Sequence, residues 1–131
     1  MPLVVQPPIK LYMHTHFMPT VNHYLGRSRL GRVYKKDNAR SFQHKLMERF
    51  VCKYPDFRPI NKGKIYIKVM FRFKDRRRRD NDNYMKCIKD ALNGFAYDDD
   101  SRIWKEKSVR LEPKRGRRRH KVMIRITQFQ P

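Results

Sequence analysis

The sequence predicts an α+β fold: a single small domain in which a mixed β-sheet carries two helices packed on one face, in the order β(β)αβαββ. Three observations lead there. At 131 residues the chain can build one real core and is too short for two. Its hydrophobic content of 39% is ordinary for a folded protein, and its aromatic residues are well spread, which argues against wholesale disorder. Apolar residues recur at two-residue spacing in some segments and at three- to four-residue spacing in others. There is no internal repeat and no low-complexity linker.

Residues 1–9 hold three prolines and are expected to form a flexible arm, with the domain running from 10 to 131. Leu11–Phe17 suits a first strand. Pro19 to Gly31 suits a loop hinged at Gly26 and Gly31, with Arg27, Arg29 and Arg32 exposed, and Arg32–Lys35 a short strand that pairs back. A helix should start near Asp37, a first-turn cap. Ala39, Phe42, Leu46 and Phe50 then form one apolar stripe, and Pro55 and Pro59 end the segment. Lys64–Phe73 is the clearest strand, with Ile65, Ile67, Val69, Phe71 and Phe73 alternating with Tyr66, Lys68, Met70 and Arg72. A second helix is predicted from Asn83 to Asn93, stopped by Gly94, with Tyr84, Ile88, Ala91, Leu92 and Phe95 on its buried side. Two last strands, Ile103–Leu111 and Lys121–Gln128, flank the basic turn Pro113–His120. Lys105 and Lys107 suit an edge or ligand-facing strand, and Val122, Ile124 and Ile126 share one face.

The charge is extreme. Thirty-three Lys and Arg against twelve acids give a formal +21, so the surface repels itself unless a polyanion neutralises it. Nucleic acid is the first partner to consider and an anionic membrane the second. No apolar run approaches the roughly 18 residues of a membrane span, and Met1–Ile9 lacks the pattern of a secretion signal. Cys52 and Cys87 lack metal or redox spacing and suit small core thiols in a reducing compartment.

Seven of the twelve acids fall within residues 75–100, beside the densest arginine run. Asp80 and Asp82 stand two apart where a strand gives way to a helix, so both side chains point one way. They could simply cap that helix and favour its positive end. However, four flanking arginines and the later triplet Asp98, Asp99, Asp100 favour a divalent metal held against phosphate. Mg²⁺ needs only a few carboxylates beside water and phosphate oxygens. The two helix ends are about 16 Å apart, so the 95–100 loop would have to return alongside the helix to complete one site. Arg76, Arg77, Arg78 and Arg79 would grip the backbone near the scissile bond. Lys114, Arg117, Arg118 and Arg119, with Arg27, Arg29 and Arg32, would make further phosphate contacts. For Lys114–Lys121 a merely solvated basic tract is an equal alternative.

Several residues here resemble a known family. Arg77-Arg78-Arg79-Asp80-Asn81-Asp82-Asn83, Lys86, Asp90-Ala91-Leu92 and Asp99-Asp100-Ser101-Arg102-Ile103 resemble the signature of RusA-type Holliday junction resolvases. Weaker likeness extends to Asn22 and to Gly31-Arg32-x-Tyr34. The resemblance implies that Asp80, Asp82 and Asp100 are catalytic, Mg²⁺-binding carboxylates (one or two ions, Mn²⁺ an acceptable substitute). It implies that Lys86 assists at the phosphate. It further implies a homodimer that resolves four-way DNA junctions by paired symmetric nicks in recombination and repair, leaving 5′ phosphates. Two departures stand out: Asn81 replaces an apolar residue, and the Asp triplet leaves Asp99 as an alternative third ligand. A cytoplasmic site of action is expected, that of the host for a phage-encoded chain.

The same charge pattern also fits a non-catalytic RNA-binding or ribosome-associated module, and the same chemistry fits flaps or forks. His14-x-His16 is at strand spacing for a metal, whereas His23, His44 and His120 suit the surface. Tyr97 and Trp104 are expected to pack in the core, with stacking on an unpaired base as the other option.

Overall fold

The computed structural model describes residues 7–18, 25–27, 33–35 and 37–129. Strands β1 (Ile9–Thr15), β2 (Leu25–Arg27) and β3 (Val33–Lys35) precede helix α1 (Asp37–Lys53). Strand β4 (Lys64–Arg72), helix α2 (Asp82–Leu92), a 3₁₀ turn (Asp100–Arg102), β5 (Ile103–Leu111) and β6 (His120–Phe129) follow. The main sheet has the order β1-β6-β4-β5, and β2 and β3 form a separate two-stranded sheet. β4 pairs parallel with β5 and antiparallel with β6. The predicted α+β class and element order hold.

Most boundaries follow from local chemistry. α1 ends at Lys53, two residues before Pro55, because the residue preceding a proline is driven out of helical geometry. α2 stops at Leu92, and Gly94 then takes φ +87°, a left-handed conformation that costs glycine little. The expected loop over 19–31 is partly wrong, since Leu25–Arg27 pairs with Val33–Lys35. Arg29, Arg32, Asn22, His23 and most of the 1–9 arm lie outside the described residues. Ile9, assigned to that arm, opens β1 and is buried.

The core lies between the sheet and both helices. Ile65, Ile67, Val69 and Phe71 of β4 are fully buried and meet Val122, Ile124 and Ile126 of β6. Phe42, Leu46 and Phe50 supply the α1 stripe, and α2 adds Met85 and Cys87 to the expected buried residues. Each such side chain stabilises the fold by roughly 1.5–3 kcal/mol. Gln43 of α1 is buried and donates to the Cys87 carbonyl at 3.1 Å, tying the helices together. The outer edge of β1 is also occupied. Tyr54 exchanges hydrogen bonds with the Lys10 N–H and carbonyl, Lys53 Nζ donates to the same carbonyl at 2.6 Å, and Lys45 Nζ donates to the His14 carbonyl. β5, the opposite edge, carries the lysines that predicted it. Among the described residues no helix is long and apolar enough to cross a membrane.

Three placements differ from expectation. Cys52 is exposed because it falls off the Phe42–Leu46–Phe50 stripe, whereas Cys87 is buried as expected. Trp104 is 67% exposed. His120 is buried instead of lying at the surface; its Nδ1 accepts the Lys74 N–H at 3.0 Å and its ring meets Phe73 edge-on.

Burial, followed by the positive charges of Arg79 and Lys74, lowers the His120 pKa to about 4. The folded state therefore resists a proton that the unfolded chain accepts near 6.5. This contribution is complete above pH 6.5 and is lost as pH falls toward 4. Urea midpoints should drop across that window, and His120→Asn, which keeps an acceptor for Lys74, should flatten this part of the profile.

Candidate active site at the end of the central strands

The site begins where β4 leaves the core. Phe73 is its last buried residue, and the chain then turns at Asp75. Asp75 Oδ1 accepts from Arg79 Nη1 at 2.6 Å and from the Arg77 N–H at 3.1 Å. The Arg79 guanidinium lies 4.6 Å from the Phe73 ring centre, and its side chain is only 12% exposed. The hydrogen bond from Arg79, more than any other factor, holds the Asp75 carboxyl at about 2, well below the usual carboxylate range. Arg110 of β5 lies 5.2 Å from the same ring and donates to the carbonyls of Arg77 and Arg79, at 2.8 and 3.4 Å. These contacts fix the arginine run from within.

The locked loop presents its acids outward. The Asp80 carboxylate accepts the Asp82 N–H at 3.2 Å and the Asp80 carbonyl accepts the Asn83 N–H at 3.1 Å, which starts α2. Asp80 thus satisfies one free donor of the helix, as a capping acid would, yet it and Asp82 remain exposed. Both line an open cleft of about 660 Å³ together with Arg78, Arg79, Asn81, Ser108 and Arg110. The positive end of the helix favours carboxylates there. Arg78 is exposed and has no ion pair among the described residues.

The other expected members lie elsewhere. Lys86 pairs with Asp90 at 3.5 Å, one turn beyond Asp82, and does not line the cleft. Asp98 is clamped by Arg102, whose Nη2 donates to Oδ2 at 3.1 Å, and Asp99 accepts the Ser101 hydroxyl at 2.7 Å. Those two hydrogen bonds lower the pKa of each carboxyl. Asp100 opens the 3₁₀ turn and is exposed. Tyr97 is buried as expected; its hydroxyl donates to the Lys89 carbonyl at 2.5 Å. Burial pushes its pKa up, reinforced by the charges of Asp100, Asp90 and Glu106.

The two acidic groups therefore do not converge within one chain. Ile103, just after the 3₁₀ turn, pairs with Ile65 at the start of β4, whereas Arg110, beside Asp80, pairs with Phe71 near its end. A nine-residue strand separates them by roughly 25 Å. Among the described residues no three His, Cys, Asp or Glu are grouped to hold a metal, His14 and His16 included.

The arginines divide by task. Arg79 is committed to Asp75 and Phe73, and Arg77 lies 3.8 Å from Asp75. Arg76 pairs with Glu112 in full solvent, a contact of little energy. Lys114, Arg117, Arg118 and Arg119 are exposed on the turn before β6. The charges of Arg119 and Arg117 reach His14, whose pKa is lowered first by desolvation and then by these cations. Arg27 lies in β2. Ser108 and Arg110 were missed from sequence. The signal was the polar series Glu106, Ser108, Arg110 at two-residue spacing on the helix side of β5.

A basic α+β domain that sets paired carboxylates in an arginine-lined cleft has the make-up of a nuclease acting on a phosphodiester backbone. The model of the endodeoxyribonuclease RusA family matches residues 15–127, and the chain belongs to that family. It is an endodeoxyribonuclease of the Holliday-junction-resolving kind. No curated protein matches the chain.

Arg79 and Arg78 should separate experimentally. Arg79→Ala loses a half-buried ion pair and a ring contact and should cost about 2 kcal/mol in denaturant unfolding. Arg78→Ala should change stability by less than about 0.5 kcal/mol while weakening DNA binding in a gel-shift titration.

Proposed function

We infer that this protein is a Mg²⁺-dependent, structure-selective endonuclease that resolves four-way DNA junctions as a homodimer by paired symmetric nicks. The observation that carries this is the exposed Asp80 and Asp82 pair within a cation-lined cleft, inside the family-matched block. An all-oxygen donor pair, open to solvent, suits Mg²⁺ or Mn²⁺ shared with a phosphate. The ion would supply charge neutralisation at the phosphate and activation of the attacking water.

The chain's own groups do the remaining work. Asp80 and Asp82 hold the ion from a loop already fixed by Arg79 and Arg110. Arg78, with Arg76 and Arg77, neutralises non-bridging oxygens and aligns the backbone. Lys86, 54% exposed and paired among the described residues with Asp90, can turn toward the phosphate as charge builds. Lys114, Arg117, Arg118 and Arg119 grip a second arm.

A third carboxylate would come from the second copy. Among the described residues, Asp98 is held by Arg102 and Asp99 by Ser101, whereas Asp100 is engaged by no cation or hydroxyl, which favours it over Asp99. A two-fold pairing along the open edge of β5 sets the start of one strand against the end of the other. Each cleft would then receive the partner subunit's Asp100, and two sites would face the two-fold symmetric junction. The protein would act in the cytoplasm, that of a host if phage-encoded.

Incubation with a synthetic mobile junction and a matched duplex, with and without Mg²⁺, should give symmetric nicks on the junction alone and only with metal. Asp82→Asn should abolish cleavage and leave binding intact or tighter; uncut but shifted junction with the unmodified protein would leave only a binding module. A purified heterodimer with Asp82→Asn in one protomer and Asp100→Asn in the other retains one complete site if the acids meet between subunits. It should nick at roughly half the normal rate while both homodimers stay silent. A silent heterodimer would exclude assembly between subunits.

A further inference from the structure

The sheet has a second face that no described element covers, because α1 and α2 both pack on the other side. Strand register fixes what lies across it. Lys10 pairs with Arg125, Arg125 with Lys68, and Lys68 with Lys107, giving a row of four cations over four strands. Two residues along, the row is Tyr12, Met123, Met70 and Val109; two further it is His14, Lys121, Arg72 and Leu111. No strand contributes an acid to this face, since Glu106, the one acid within β5, points to the helix side and pairs with Lys89.

Neighbouring strands lie about 4.8 Å apart, and like charges directly opposite destabilise a sheet. A ladder of four cations is therefore costly until anions meet it. The two charged rows lie roughly 13 Å apart along the strands, with an apolar stripe between them. Tyr12 is 51% exposed within that stripe, and Lys121 and Arg49 lie 5.2 and 5.8 Å from its ring centre. Within the second charged row, Arg72 Nε is buried and has no hydrogen-bond partner among the described residues. A second copy of this face would oppose cations to cations, so a self-interface is disfavoured. A repeating anion suits it.

We propose that the helix-free face of the sheet is a second DNA-binding surface, which holds a duplex arm by its phosphates independently of the cleft at Asp80 and Asp82. It deepens the junction-resolving function by giving the substrate a contact remote from the cleft. Contacts of this kind position an arm and carry no sequence preference.

The test uses the full-length protein with Lys68→Ala, Lys107→Ala and Arg125→Ala combined, in EDTA so that cleavage plays no part. Binding to a four-way junction and to a linear duplex is titrated at several salt concentrations. Each lost phosphate contact should reduce the slope of log affinity against log salt by about 0.9, hence by about 2 to 3 for the three together. Affinity for both DNAs should fall at low salt. The urea midpoint should hold or rise as the cation ladder is relieved, which a structural role would not produce. An unchanged slope, or a switch from dimer to monomer in light scattering without a change in slope, would overturn the proposal. If the unmodified protein binds neither DNA, the junction-resolving reading fails as well; if it binds and the triple variant binds equally, only this surface is refuted.

Discussion

Parallel pairing of β4 with β5 governs where the two acidic groups can act. Parallel neighbours need a crossover, and here α2 supplies it. A crossover helix starts at the top of one strand and ends at the foot of the next. Whatever precedes it and whatever follows it are held a strand's length apart. Asp80 and Asp82 precede α2 and Asp98–Asp100 follow it. No side-chain rotamer spans that separation. Under the assembly proposed above, a third carboxylate would come from a molecule running the other way.

Given that frame, the surplus of arginine is less uniform than composition suggests. Arg79 and Arg110 are engaged by the protein itself, both near the Phe73 ring and bonded to Asp75 and two main-chain carbonyls. Their service is rigidity: a loop dense in positive charge would otherwise spread. Among the described residues, two further groups of cations sit on different surfaces, one at the end of the sheet bearing Asp80 and Asp82 and one across its helix-free face. Phe73 links the first of these to the core, since the same ring also meets Tyr84 and His120.

Much of this fold was legible because its signals are local. The alternation from Ile65 to Phe73 and the stripe Phe42, Leu46, Phe50 each need only their own neighbours to be read. β5 was bounded as found, Ile103–Leu111. Trp104 escaped because the register shifts between Ile65 and Tyr66, whose partners are Ile103 and Lys105; the skipped residue drops out of the alternation and into solvent. His120 escaped because its burial depends on Lys74, forty-six positions away in sequence. The hairpin strand Leu25–Arg27 is too short to carry a period. For the site, spacing placed Asp80 and Asp82 side by side, as their shared cleft bears out, but did not reveal that the distant triplet lies at the opposite end. That fact belongs to sheet order, which no single segment encodes.

The sealing of β1 by Tyr54, Lys53 and Lys45 bears on stoichiometry. A sheet with two receptive margins can recruit neighbours on both sides and grow into a filament. Here one margin of the main sheet is stoppered by Lys45 and Lys53 of α1 and by Tyr54 just after it, so among the described residues strand addition to that sheet has a single direction available. Once a twin occupies it, the pair has no margin left to offer. Assembly by the β5 pairing proposed above would terminate at two, and open-ended polymerisation by this route would be avoided without a dedicated cap.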